Sequence, residues 1–180
     1  MRHERGSTFI VVILVSAFLL TVGVALLTVT GAGPKAAGNI RNQNEAFSAA
    51  EAGFEAGRMA VEQNFLAGQW SSFSSAYLQD PTDIDLPLAT NYFRKLTDEQ
   101  ILTALNPASN GVLFYDQPYV PTGGGQFDPR FTYTVFLIDP AAGGGISNPS
   151  EVLMVCIGVV RSGTRIIATS RLEILFGTVP

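Results

Sequence analysis

The residues of this chain that could bind a metal or act in catalysis are few, and most of them lie in one acidic stretch. The segment QDPTDIDLP places Asp80, Asp83 and Asp85 close together, and carboxylate oxygens are the ligands that calcium prefers. The segment lacks the glycine and the distal glutamate of an EF-hand loop, which favours a solvated turn. The triplet is therefore a candidate metal site, with a turn as the preferred interpretation.

The single histidine and the single cysteine offer little further chemistry. His3 precedes a long apolar run, so the body of the chain has no histidine to act as a general base or a zinc ligand. Cys156 stands between Val155 and Ile157, which predicts a buried position in a strand. Two glycine-rich segments, PTGGGQFDP and DPAAGGGISNPS, lack the residues of a phosphate-binding loop and predict flexible loops. We expect a protein that is not an enzyme and needs no cofactor.

The overall composition limits the protein to one modest domain beyond its N-terminal segment. The chain has 180 residues, of which 47% are hydrophobic and 14% are charged, and its net charge is -4. A nucleic-acid binder would show a clustered basic surface, and no such cluster is present in the sequence. We therefore expect no nucleic-acid partner.

The N-terminal apolar run is long enough to span a membrane. Residues 7–30, at about 1.5 Å per residue in a helix, reach across a hydrocarbon core of about 30 Å. A secretory signal peptide has a shorter apolar region, of roughly 7 to 15 residues. Arg2 and Arg5 precede the run, so the positive-inside rule places the N-terminus in the cytoplasm. Pro34, which follows Gly31 and Gly33, predicts a bend or a melted turn at the end of the run.

A second helical pattern follows over residues 31–67, where apolar residues recur at spacings of three and four. This predicted stripe consists of Phe47, Ala50, Phe54, Gly57, Val61 and Phe65. The charged residues of the opposite side are Glu51, Glu55, Arg58 and Glu62. We expect the stripe to pack on a sheet, and we expect Arg58 to form weak ion pairs with Glu55 and Glu62.

The rest of the chain divides into a loop-rich region, residues 68–129, and a strand-rich region, residues 130–180. In the first region TDEQILTAL predicts a short helix, with Thr97 and Gln100 at capping-box spacing. In the second region RFTYTVFLID, VLMVCIGVV and RIIATSRLEILF predict three strands, and the short link at Gly163 predicts a hairpin. The predicted fold class is α+β, with one long N-terminal helix on a small antiparallel meander whose middle strand is central.

Two motifs resemble those of bacterial type IV pilins. The junction ERG/STFIVV is similar to a prepilin leader, with Gly6 before the cut and Ser7 as the new N-terminus. The segment AGNIRNQNEAFSAAEAGFEAG resembles the hallmark region of PilX-type minor pilins. Major pilins carry phenylalanine first and glutamate fifth in the mature chain, whereas here Phe9 is third and Val11 is fifth. Members of the PilX-type family often lack that glutamate, which is compatible with a position at the end of a filament.

The resemblance implies a function, a location and a set of partners. Residues 1–6 would be a leader that a prepilin peptidase removes, and methylation of the Ser7 amine stays open. Residues 7–30 would be the transmembrane and assembly helix, with Phe9, Val11 and Phe18 on it and Pro34 beyond its end. The expected location is the bacterial inner membrane before assembly and the extracellular pilus afterwards. The expected partners are major and minor pilin subunits, the peptidase and membrane lipid, and the expected role is to initiate or cap pilus assembly.

Three alternatives remain open from the sequence. A minor pseudopilin of a type II secretion system, of the K type, also lacks the early glutamate but usually carries a larger inserted domain. A secreted or anchored binding module would use an ordinary signal sequence, with a cut near Thr30, Gly31 and Ala32. A membrane-anchored enzyme is disfavoured because the chain shows no nucleophile motif and no paired acid site.

Overall fold

The protein is an α+β structure in which an apolar N-terminal helix precedes an antiparallel sheet. The computed structural model describes residues 4–141 and 148–177, and it describes their side chains except at residues 4–8 and 28–32. The helices are α1 (Glu4–Leu66), a short 3-10 helix (Phe73–Ser75) and α2 (Asp98–Ala104). The strands are β1 (Val112–Pro118), β2 (Pro121–Gly123), β3 (Gln126–Phe127), β4 (Phe131–Ile138), β5 (Glu151–Ser162) and β6 (Arg165–Gly177).

The chain forms two compact units, Met1–Arg41 and Asn42–Pro180. In the first unit the α-helix includes Pro34, so the melted turn predicted at this position is not present. A proline removes one backbone donor from the helix, and the hydrogen bonds on both sides of it keep the segment helical. The second unit, which we call the body, contains every residue of the hydrophobic core, from Ala46 to Ala168.

The sheet of the body has four antiparallel strands in the order β1-β4-β5-β6. The predicted meander of β4, β5 and β6 is confirmed, as is the hairpin at Gly163, whose φ of 62° suits glycine. The strands β2 and β3 pair with each other in the segment PTGGGQFDP, which forms a small hairpin and not the flexible loop that we predicted. The strand β1 also lies in the region that we predicted to be loop-rich. Its sequence VLFYDQP ends in polar residues and a proline, a composition that is tolerated only at the edge of a sheet.

Both faces of the sheet are covered, which explains why β5 is apolar from Val152 to Val160. One face carries side chains that form a cluster with α1: Tyr133, Val135, Leu137, Val152, Met154 and Cys156. The other face carries Phe136, Ile138, Leu153, Val155, Ile157 and Val159. Residues of the loop-rich region cover this second face with Leu78, Ile84, Phe93, Ile101, Leu102 and Leu105.

Two sets of hydrogen bonds hold the start of the short helix α2 in place. The predicted capping box is present. The Thr97 hydroxyl oxygen accepts a hydrogen bond from the backbone N–H of Gln100, and the side-chain oxygen of Gln100 accepts one from the backbone N–H of Thr97. Arg171 of β6 donates to the Asp98 carboxylate, at 2.6 Å, and to the carbonyl of Phe93. These bonds tie the start of α2 to the sheet.

Candidate functional site

The first candidate functional element is the apolar segment Phe9–Leu27 of α1. Among the described residues it is the one helical segment long and apolar enough to cross a membrane or to serve as a signal sequence. Its large side chains are exposed, including those of Phe9, Val11 and Phe18, the last being 68% exposed. The Thr21 hydroxyl donates to the Ala17 carbonyl, which satisfies this polar group within the helix. A surface of this kind is stable in lipid or against other apolar helices.

The predicted cleavage site lies at the start of the same helix. The backbone of Gly6 and Ser7 lies in the first turns of α1, and the Ser7 side chain is outside the described set. Residues 1–3 of the predicted leader, His3 among them, also lie outside the described residues.

The second candidate element is the contact between α1 and the sheet, which is made by small residues. Ala46, Ala49 and Ala50 are completely buried on the side of α1 that faces β5. A Cβ atom added to Gly158 of β5 would collide with the Ala46 carbonyl oxygen and the Ala50 amide nitrogen, and would lie 2.9 Å from the Ala49 Cβ. The backbones of helix and strand therefore touch, and only glycine fits at position 158.

The contact continues along the helix through two further glycines. A Cβ atom on Gly53 would lie 3.1 Å from the Tyr133 Cβ. On Gly57 it would lie 2.8 Å from the Met154 Sδ and 3.0 Å from a Val135 methyl carbon. The small residues of AFSAAEAGFEAG thus let the helix lie directly on the sheet.

The predicted packing residues fall into three groups. Ala50 and Val61 are buried, as predicted. Phe54 and Phe65 are half-buried: Phe54 stacks on Phe176 at 5.9 Å between ring centroids, and Phe65 makes edge contacts with Trp70 and Phe73. Phe47 is 44% exposed, so its predicted place in the stripe is wrong. The buried position is that of its neighbour Ala46, because the approach of Gly158 leaves room only for a small side chain.

Gly158 was not predicted to be the residue on which the small residues of α1 pack. Two features of the sequence indicate it: alanines and glycines recur every three or four residues along α1, and Gly158 is the one glycine in the apolar run VLMVCIGVV. Glycine inside a strand often marks a place where another backbone approaches closely.

The outward side of α1 in the body carries the predicted charged residues. Arg58 lies 3.3 Å from the Glu55 carboxylate and 3.6 Å from the Glu62 carboxylate, which confirms both predicted pairs. All three side chains are exposed, so each pair contributes only a few tenths of a kcal/mol.

A polar cluster, which the sequence did not reveal, stabilises the edge between β1 and β4. Asp116 has a φ of 50° at a bulge in β1, and its carboxylate accepts from the Thr132 hydroxyl and from Arg161. Arg161 also donates to Thr132, which is buried. Within the described part of the chain no buried side-chain nitrogen or oxygen lacks a hydrogen-bond partner. The cluster is therefore internally satisfied and holds the strand edge in place.

The acidic triplet is not assembled into a metal site. The Asp80 carboxylate accepts a hydrogen bond of 2.8 Å from the Asn106 side chain, and Asp83 has a left-handed φ of 64° in a turn. Burial raises the pKa of Asp85, and the nearby charges of Asp139 and Asp83 raise it further. Across residues 4–141 and 148–177, no group of three or more histidine, cysteine, aspartate or glutamate side chains is placed to hold a metal ion.

Cys156 is a core residue, as predicted. It is completely buried in β5, and this burial raises the pKa of its thiol to about 12. A thiol with such a pKa is almost entirely protonated near neutral pH and is a poor nucleophile. It offers no reactive centre.

The fold and these contacts define an α+β protein with an N-terminal apolar helix, an antiparallel sheet and a glycine-mediated contact between the two. Comparison of the chain with protein-family models, with curated proteins and with solved structures gives no match.

Proposed function

We propose that the chain is a non-catalytic minor pilin of the PilX type, a structural subunit that helps to initiate or cap a type IV pilus. The observation that carries this proposal is α1 itself. One helix, Glu4–Leu66, presents an exposed apolar surface over Phe9–Leu27 and a face of alanine and glycine against a sheet further along. The first surface needs an apolar environment, and the second packs the sheet of the body on α1.

In this proposal the apolar segment Phe9–Leu27, which we call the anchor, acts twice. It holds the subunit in the inner membrane, with its N-terminus in the cytoplasm, and it later packs against the helices of major and minor subunits in the extracellular pilus. Both states bury the same side chains, at about 25 cal/mol per Å² of apolar area removed from water. Transfer from lipid to filament therefore requires no new hydrophobic surface.

Val11 distinguishes this subunit within the proposal. A carboxylate at this position would need a cationic partner, because an unpaired charge within a membrane helix is costly. Valine has no such requirement, and its exposed side chain is compatible with either lipid or a neighbouring helix. A subunit of this kind does not need to dock beneath another one, which favours the end of a filament.

The direct contact of helix and sheet gives the body a defined role. Gly158 lies against the backbone of α1, so the helix cannot shift along the strand without a collision. The sheet therefore stays packed on the part of α1 that lies within the body. The loops of the body are then the surfaces that are available to other proteins.

Processing of the N-terminus tests the proposal. The full-length chain is expressed in a bacterial host with and without a prepilin peptidase, and the purified membrane protein is analysed by intact mass and N-terminal sequencing. We expect a mature chain that begins at Ser7 only when the peptidase is present, and we expect Gly6→Val to prevent the cut. Gly33→Val is the matched control, since a side chain at Gly33 has no neighbour within 4 Å.

The other outcomes identify the alternatives. A first residue at or near Ala32 supports an ordinary signal peptide and a secreted binding module. An intact Met1 in the presence of active peptidase contradicts both pilin and pseudopilin. If Ser7 is the first residue, co-purification from membranes with pilus subunits or with secretion-system subunits separates the minor pilin from the pseudopilin.

A further inference from the structure

A cleft of about 270 Å³ lies on the face of the sheet opposite α1. Its floor consists of the buried side chains of Phe93, Ile138 and Leu153. Its rim combines exposed apolar residues, Pro87, Pro140 and Leu175, with polar ones, and Leu175 is 59% exposed. Binding sites usually combine apolar surface with a small number of polar groups in this way.

The polar lining of this cleft carries uncompensated negative charge. Asp85 and Asp139 both line it, and neither forms an ion pair with a cation among the described residues. The Asp139 carboxylate accepts a backbone hydrogen bond of 2.9 Å from Ala141. Arg94 also lines the cleft, but its guanidinium lies 2.8 Å from the Glu173 carboxylate, which matches its charge.

The carboxylates of Asp85 and Asp139 repel each other in a cleft that is partly removed from solvent. Burial raises the pKa of Asp85, and the charge of Asp139 adds to this effect. Tyr92, Arg94 and Asp83 are the other titratable groups near Asp85. A cation placed between the carboxylates would replace this repulsion with attraction.

We propose that the cleft binds the lysine or arginine side chain of a partner protein. The apolar stem of such a side chain would pack on the exposed Leu175, Pro87 and Pro140 of the rim. Its charged end would meet Asp85 and Asp139. Long cationic side chains combine these two requirements, since their methylene groups pack on apolar surfaces while the charge stays near polar groups. The volume suits one side chain, and two carboxylates are fewer oxygen ligands than a calcium site uses. This inference goes beyond the pilus proposal and does not depend on it.

Binding is tested with a small cationic probe and its uncharged counterpart. The full-length protein in detergent micelles is labelled with nitrogen-15 and titrated with N-acetyl-lysine methylamide, and amide shifts are recorded. We expect saturable shifts at Phe93, Arg94 and Asp139. N-acetyl-norleucine methylamide has the same stem length without the ammonium group, and we expect it to produce no saturable shift at these residues.

Variants identify the groups that bind the probe. Asp85→Asn and Asp139→Asn each preserve side-chain shape, and we expect each to weaken binding about fivefold, as loss of one partly exposed ion pair would. Glu51→Gln removes the same charge from the exposed side of α1, and binding should not change. Circular dichroism verifies that each variant is folded.

Three results would overturn the inference. The first is the absence of saturable shifts at the cleft with the lysine probe. The second is equal binding of the norleucine probe, which would show that charge has no role. The third is saturable binding of calcium chloride at Asp85 and Asp139 without binding of the lysine probe, which would assign the cleft to a metal ion.

Discussion

The contact between Gly158 and α1 predicts that Gly158→Ala destabilises the body. The added methyl group would collide with two backbone atoms, the Ala46 carbonyl oxygen and the Ala50 amide nitrogen, in addition to the Ala49 Cβ at 2.9 Å. Overpacking of a core costs typically 1 to 3 kcal/mol, and we expect about 3 kcal/mol here because backbone atoms cannot rotate away. Replacement of glycine lowers the entropy of the unfolded chain, which offsets roughly 0.4 to 1 kcal/mol. The net loss is then about 2 kcal/mol.

The single tryptophan provides the assay for this loss. Trp70 contacts Phe65 at the end of α1 and Phe73 in the following 3-10 helix, with ring centroids 5.9 and 6.4 Å away. Its fluorescence therefore reports the unfolding of the body while the apolar segment Phe9–Leu27 stays in a detergent micelle. At about 4 °C per kcal/mol for a domain of this size, a loss of 2 kcal/mol lowers the Tm by about 8 °C.

Two further variants make the test specific for the close approach. Gly177→Ala makes the same change in β6, where the nearest atoms to an added Cβ are 3.9 Å away, so we expect an unchanged or slightly higher Tm. Ala49→Gly should not rescue Gly158→Ala, because the two closest atoms belong to the backbone. Equal Tm values for Gly158→Ala and Gly177→Ala, or rescue by Ala49→Gly, would refute direct contact between the backbones.

Three other substitutions have expected effects of different size and sign, each measured by the same fluorescence assay. Gly57→Ala should cost less than Gly158→Ala, about 1 kcal/mol, because its closest neighbour is the flexible Met154 side chain; an equal or larger loss would contradict this ranking. Asp98→Asn removes the charge that faces Arg171 at 2.6 Å between two largely buried side chains, and should cost about 1.5 to 3 kcal/mol; no loss would show that the pair is dispensable. Asp85→Asn should raise the Tm slightly at neutral pH, because the raised pKa of Asp85 means that folding disfavours its ionised carboxylate. This gain should vanish as the pH falls below the ordinary pKa of 3.8, where the carboxyl is protonated in both the folded and the unfolded state. A gain in Tm that persists at such low pH would refute this cause.

The features of the fold that could be predicted from the sequence are those encoded by local pattern. The capping box at Thr97 and Gln100, the hairpin at Gly163 and the burial of Cys156 each depend on residues close together in the chain. The alternation of apolar and charged residues in RIIATSRLEILF matches the two faces of β6, with Leu172 packed on the cluster that contacts α1 and Arg171 on the opposite face. Such features need no knowledge of distant contacts.

The features that could not be predicted depend on contacts between distant segments. Phe47 matches the apolar spacing of α1 as well as Ala46 does, and only the approach of Gly158 decides which of them is buried. The strand β1 contains Asp116 and Pro118, which argue against a strand until β4 and Arg161 provide partners. The cleft likewise combines Asp85, Asp139 and Leu175 from three separate segments.

The small-residue motif of α1 has a physical consequence for how the protein meets its partners. Alanines and glycines at spacings of three and four are often used for contacts between membrane helices, because they let backbones approach closely. In this chain the body's own sheet occupies that face, from Ala46 to Gly57. Contacts of the body with other molecules must therefore use its remaining surfaces, among which are the exposed side of α1 that carries Phe47 and the opposite face of the sheet with its acidic cleft. The motif that carries the resemblance to minor pilins thus packs against the protein's own sheet, and the exposed surfaces of the body are the ones that remain for contacts with other molecules.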